Sequence, residues 1–181
     1  MELYEKTLES RDVFNGRVIH VTVDKIELPN GHTSEREVVG HPGGVCIAAL
    51  NDDNELYFVR QYRYPYHKVV LELPAGKLEK GSTPLENGIR ELKEEVGAVG
   101  KDYRFLGELY PSPGYCAEII HLYFCRIESI GDDCPYDDEF LNVEKIHIDK
   151  AVEMVLSNEI KDSKTQTAVL KTAVLLKKGI L

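Results

Sequence analysis

Tryptophan is absent from this chain, so any aromatic stacking must fall to Tyr or Phe. Basic residues are in deficit, with 22 Lys+Arg against 31 Asp+Glu and a formal charge of −9. That deficit excludes the basic footprint of non-specific nucleic-acid binding. It also means that an anionic ligand would need local Arg, Lys or a metal ion to overcome the global field. No long apolar run exists. The longest uncharged stretch, residues 40–51, has 12 residues, short of the ~20 that span a bilayer. The first residues, Met1-Glu2-Leu3-Tyr4-Glu5-Lys6, lack the apolar core of a signal peptide, and cytoplasmic residence is the expectation. The four cysteines form no Cys-x-x-Cys pair, which argues against both a disulfide framework and a cysteine zinc site. The six histidines are scattered without a His-x-x-x-His pair. No Gly-x-Ser-x-Gly elbow occurs, so acyl chemistry by a serine nucleophile has no support.

What is present is ordinary globular material: 181 residues, 43% hydrophobic and 29% charged. Residues 1–40 read as an antiparallel β unit. Ile19, Val21 and Val23 alternate with His20, Thr22 and Asp24, Pro29-Asn30-Gly31 supplies a turn, and Glu35 to Val39 returns. His41-Pro42-Gly43-Gly44 is the candidate boundary, leaving 41–181 as the main domain. There, Val45 to Leu50 and Glu55 to Val59 predict a hairpin across Asn51-Asp52-Asp53-Asn54. Further strands are expected at Val69 to Leu73, Tyr103 to Leu109, Ile119 to Ile127 and Phe140 to Ile148, with closing helices near 149–156 and 163–177. Strands and helices mix without regular β-α-β alternation, which favours an α+β fold with mixed pairing.

The segment 82–97 predicts a helix. Thr83 with Glu86 is a capping box, Pro84 suits the first helical position, and Gly97 suits the left-handed terminus. Leu85, Ile89, Leu92 and Val96 would form its apolar stripe. Glu91 and Glu95 sit four apart, with Glu94 beside them, near the helix end where the macrodipole disfavours anions. Arg90 pairs with Glu94 at i,i+4 and relieves part of the repulsion. Two readings stay open at this point: a solvated acidic face, or carboxylate oxygens for a hard divalent cation such as Mg²⁺ or Mn²⁺.

Gly76, five residues, Ser82, seven residues, then Arg90-Glu91-Leu92-Lys93-Glu94-Glu95-Val96-Gly97-Ala98 resembles the Nudix box. The match spans 23 residues, and only Ser82 departs, standing where the family usually has Glu. Leu71-Glu72-Leu73-Pro74-Ala75-Gly76-Lys77 is similar to the family's usual lead-in. Within the superfamily, Pro113, placed 15 residues after Ala98, resembles the ADP-ribose pyrophosphatase branch. So do the N-terminal β unit and Asp162-Ser163-Lys164-Thr165.

The resemblance implies a mixed sheet flanked by helices and Mg²⁺-dependent hydrolysis of ADP-ribose to AMP and ribose 5-phosphate. Alternatives are another nucleoside diphosphate sugar, a dinucleotide, or a sensing module that binds without turnover. It implies metal ligands at Ala75 (through its carbonyl), Glu91, Glu95 and Glu139, with Glu94 assisting, Arg90 orienting the carboxylates and Asp137 as base. Substrate contacts would come from Arg63 (with Arg60 the competitor), Glu72 and, across a homodimer formed by residues 1–40, Arg36. Ser82 would serve as a helix-entry residue. Phe14, Tyr4 and Tyr62 are the candidates for stacking on the base.

Overall fold

The computed structural model describes residues 3–131 and 141–181. Two compact units divide the chain: 1–43 with 110–119, and 44–109 with 120–181. The first is a three-stranded antiparallel sheet in the order β1 (Lys6–Asn15), β2 (His20–Glu27), β3 (Thr33–Gly40). Its β2–β3 turn is built as the Pro-Asn-Gly sequence predicts. Gly31 takes a positive φ of 81° and its N–H donates to Leu28 O at 2.8 Å. The end of β3 is held by the segment 110–119, which the sequence reading places with the second domain. Val39 N–H donates to Tyr115 O at 2.8 Å, and Ala117 N–H returns to Val39 O at 2.9 Å. This unit has little interior. Ile26 is its one buried apolar side chain among the described residues, and β1 is exposed throughout.

The second unit carries β4 (Gly44–Leu50), β5 (Glu55–Arg63), β6 (Lys68–Glu72), β7 (Ala75–Lys77), α1 (Pro84–Val96), β8 (Ala98–Leu109), β9 (Ile120–Ile130), β10 (Asn142–His147), α2 (Ile148–Leu156) and α3 (Ser163–Lys177). Its seven-stranded mixed sheet runs β10-β5-β4-β9-β8, with β6 on β5 and β7 on β4. β4 lies parallel to β9 from Gly44↔Ile120 to Leu50↔Arg126. Every residue of β4 is buried, as expected of a strand covered on both faces. Cys46, Ala48 and Leu50 pack with Ala151, Met154, Val155, Ala168 and Val169 of α2 and α3. The alternating Ile47 and Ala49 pack with Leu92 and Val96 of α1. Helices therefore cover both faces of one sheet. No helix among the described residues is long and apolar enough to cross a membrane.

Two expectations are corrected. The β4–β5 hairpin pairs only at its mouth, Leu50↔Leu56. Beyond that point β4 gives its edges to β9 and β7, while β5 pairs with β6 and β10. In α1, Ile89 is 41% exposed and does not belong to the buried face. That face is Asn87, Gly88, Glu91, Leu92, Glu95 and Val96. Gly88 explains the rotation: a Cβ there would stand 2.7 Å from Ile47 Cδ1 and 2.9 Å from Val45 Cγ2. The glycine lets the helix lie close on β4, and a residue without a side chain leaves no mark in an apolar pattern.

The capping box is formed as predicted. Thr83 Oγ1 accepts from Glu86 N–H at 3.3 Å, and Glu86 Oε2 accepts from Thr83 N–H at 2.7 Å; Gly97 ends the helix at a φ of 69°. Thr83→Ala should therefore cost about 1 kcal/mol and lower the thermal midpoint by roughly 2–4 °C, with Thr83→Ser close to wild type by calorimetry.

Candidate active site

The site is assembled around the turn after β6. Pro74 O accepts from Ile47 N–H at 2.9 Å, fixing the turn to the central strand. Ala75 N–H donates to Glu95 Oε2 at 3.0 Å. Gly76 lies against the Glu91 carboxylate, where a Cβ would come within 2.0 Å of Cδ and Oε1. Any side chain at residue 76 would thus occupy the space that Glu91 uses. Glu91 is 9% exposed and Glu95 4%. They face the sheet side of α1, which overturns the solvated-face reading.

Arg90 organises the acidic groups around it. Nη1 donates to Glu94 Oε2 at 2.5 Å and Nη2 to Glu91 Oε1 at 2.7 Å, with Glu79 Oε1 at 3.2 Å. Partial burial lowers the pKa of this guanidinium, but the surrounding carboxylates outweigh it and hold the value above the usual one. Asn87, 1% exposed, ties the preceding loop to the helix. Its Oδ1 accepts from Glu79 N–H at 3.1 Å, and its Nδ2 donates to Thr83 O at 2.8 Å. Ser82 is exposed and precedes the cap; helix entry falls to Thr83.

A second charged group sits on β5, β6 and α3. Glu72 is 2% exposed. Arg63 grips it with Nε on Oε1 at 2.6 Å and Nη2 on Oε2 at 2.7 Å. Lys164 Nζ donates to the same Oε2 and lies 3.0 Å from Asp162 Oδ1. Burial pushes the Glu72 carboxyl up, yet the two cations more than reverse this and hold it below the usual carboxylate range. Arg60, the competitor to Arg63, is paired with Glu144. Arg36 lies in the N-terminal unit and donates to Glu5 at 2.6 and 3.0 Å. Asp137 and Glu139 lie outside the described residues.

The structure thus gathers Ala75, Arg90, Glu91, Glu94 and Glu95 around one turn and one helix face, and joins Arg63 to Glu72. Sequence reasoning missed Asn87 and Lys164. The second carried a signal, since a lysine in the first turn of a helix opposes the macrodipole. Among the described residues, no three acidic, His or Cys side chains already gather at metal-ligand spacing. The donor set itself fits a hard divalent cation: carboxylates and a backbone carbonyl, with Gly76 preserving room for one of the carboxylates. The described cysteines, Cys46, Cys116 and Cys125, are free thiols. Burial drives the Cys46 thiol far above its ordinary pKa, so it is inert packing.

Comparison with known proteins agrees with this geometry. The NUDIX domain family matches residues 40–167, and the nucleoside diphosphate sugar hydrolase N-terminal domain matches residues 5–39. The chain is 42% identical over 167 residues to a protein of Bacillus methanolicus named methanol dehydrogenase activator, covering 91% of this chain and 90% of that one. It is 38% identical over 169 residues to the ADP-ribose pyrophosphatase of Bacillus subtilis (strain 168), covering 92% and 91%. A solved structure described as an ADP compounds hydrolase superposes over 100% of both chains with a TM-score of 0.84 at 21% identity, a likeness of fold. On the box, the sheet that carries it and these matches, the chain belongs to the Nudix family.

Proposed function

We propose that this Nudix pyrophosphohydrolase hydrolyses ADP-ribose, with water, to AMP and ribose 5-phosphate, using Mg²⁺ or Mn²⁺. The observation that carries the reading is the burial of Glu91 and Glu95 on the sheet-facing side of α1. A helix selected for stability alone would place apolar side chains there. The relationship to a protein named ADP-ribose pyrophosphatase, at 38% identity, supports the choice of substrate.

Cleaving a pyrophosphate requires charge neutralisation, an activated water and a held leaving group. Glu91, Glu95 and the Ala75 carbonyl would hold the metal, with Glu94 assisting and Glu139 as a further ligand. When bound, the metal supplies positive charge at the pyrophosphate. Arg90 fixes the orientation of Glu91 and Glu94, and Ala75 N–H fixes that of Glu95. Arg63 presents a guanidinium to a phosphate oxygen, held by Glu72. Asp137 takes the proton of the attacking water.

Phosphate release after phosphatase treatment, over a panel of nucleoside diphosphate sugars and dinucleotides with Mg²⁺, tests the substrate. ADP-ribose should give the highest kcat/KM. A better alternative overturns that choice, and tight binding without turnover of any member leaves a sensor. Glu95→Gln retains an acceptor for Ala75 N–H, so the thermal midpoint should move by less than about 2 °C. Its kcat should fall by roughly 10²-fold or more, the loss of ~3 kcal/mol of transition-state stabilisation. Gly76→Ala must expel the Glu91 carboxylate, the mobile end of its side chain, and should lose activity similarly for less than about 1 kcal/mol of stability. Near-wild-type turnover by Glu95→Gln at saturating Mg²⁺ would remove that residue from the metal site.

A homodimer through residues 1–40 is also proposed. Leu8, Val13 and Phe14 of β1 are 45%, 53% and 54% exposed, and a three-stranded sheet with one buried apolar residue is marginal alone. Light scattering at micromolar concentration should give twice the 20.5 kDa chain mass, and a monomer mass would exclude the dimer.

A further inference from the structure

Lys164 is an unusual helix residue. It stands in the first turn of α3, and its side chain is only 12% exposed. Burial favours its neutral form, but Asp162 and Glu72 outweigh this and hold it charged. Its ammonium meets the Glu72 oxygen, Oε2, that also accepts Arg63 Nη2 at 2.7 Å. One carboxylate is thereby shared by two cations, although the bidentate Arg63 pair alone would neutralise it. That pair uses Nε and Nη2 and leaves Nη1 outside it, on a side chain 39% exposed beside a carboxylate side chain 3% exposed.

The rest of the same helical turn grips the next residue of the strand end. Asp162 caps α3 by accepting from Thr165 N–H at 3.0 Å, and Thr165 Oγ1 accepts from Leu73 N–H at 2.9 Å. Glu72 and Leu73 are thus held at adjacent points by α3, immediately before the turn that carries Ala75. A guanidinium is planar, so fixing the carboxylate it grips fixes its plane.

We propose that Lys164 is a positioning residue for Arg63: by anchoring Glu72 to α3 it sets the plane of the guanidinium offered to the anionic group of the substrate. The proposal rests on the reading that Arg63 meets a substrate phosphate. Lys164 itself touches no reacting atom and is not a catalytic residue.

The test is steady-state kinetics with ADP-ribose and Mg²⁺ on Lys164→Met, Lys164→Arg, Arg63→Lys and the double variant Arg63→Lys with Lys164→Met. Lys164→Met should raise KM about tenfold while kcat stays within about threefold, and Lys164→Arg should restore most of the KM. In the Arg63→Lys background, Lys164→Met should move KM by less than about twofold, because no guanidinium plane is left to orient. A lowered thermal midpoint with unchanged KM overturns the proposal, and so does the same rise in KM in both backgrounds. Arg63→Lys with a wild-type KM overturns the reading of Arg63 beneath it, whatever Lys164 does. Should Lys164→Met fail to fold, Lys164→Gln, which keeps a donor without the charge, takes its place under the same criteria.

Discussion

A carboxylate taken out of water costs several kcal/mol unless charge or hydrogen bonds replace the solvent, and α1 turns two of them toward the sheet. The arrangement around this helix follows from accommodating them. Gly88 brings the helix down onto Ile47 and Val45, Gly76 clears the volume that the Glu91 carboxylate fills, and the N–H of Ala75 is aimed at Glu95. Arg90 stands at the edge, compensating Glu91 and Glu94 together. Gly76 and Arg90, fifteen positions apart in the chain, meet through one side chain, Glu91.

How much of this is legible in the chain depends on the range of the interaction. The ends of α1 were readable because capping is local: Thr83, Glu86 and Gly97 act within one turn of their own sequence positions. The Pro29-Asn30-Gly31 turn was readable for the same reason. The parallel pairing of β4 with β9 was not, since Gly44 and Ile120 are brought together by tertiary packing and no nearby residue signals it. The hairpin expected between β4 and β5 failed for this cause. A polar turn between two apolar runs says that the chain reverses, not that the strands stay paired beyond Leu50↔Leu56.

The site divides in the same way. The acidic positions of α1 were visible as a spacing, and their cost near the helix end was computable from charge alone. Their burial was not, because counting apolar residues assigned the buried face to Ile89, while the true face is marked by a glycine and two glutamates. Glu72 was visible as a lone charge in an apolar strand. Its partners were not visible as partners: Arg63 is nine positions away and Lys164 ninety-two. Only the misplaced sign of Lys164 at a helix N-terminus hinted that an anion would meet it.

The two charged groups solve the problem of buried carboxylates in opposite ways, and the contrast separates their roles. Around Glu72 the charges balance, two anions (Glu72 and Asp162) against two cations (Arg63 and Lys164), and the carboxyl is held below its usual range. Such a cluster is electrically complete and suited to holding a guanidinium still. Around α1 a single guanidinium, that of Arg90, faces Glu79, Glu91 and Glu94, with Glu95 buried on the same helix. The first arrangement needs no further ion; the second carries an excess of negative charge in a partly desolvated place, where Coulomb energy is larger than in bulk water. An added cation is stabilised there more than anywhere on a uniformly solvated acidic face, and a phosphate could approach only once that cation is in place. The acidic helix and the Arg63 group therefore act in sequence on the same anion: the first must lose its negative excess before the second can contribute to binding.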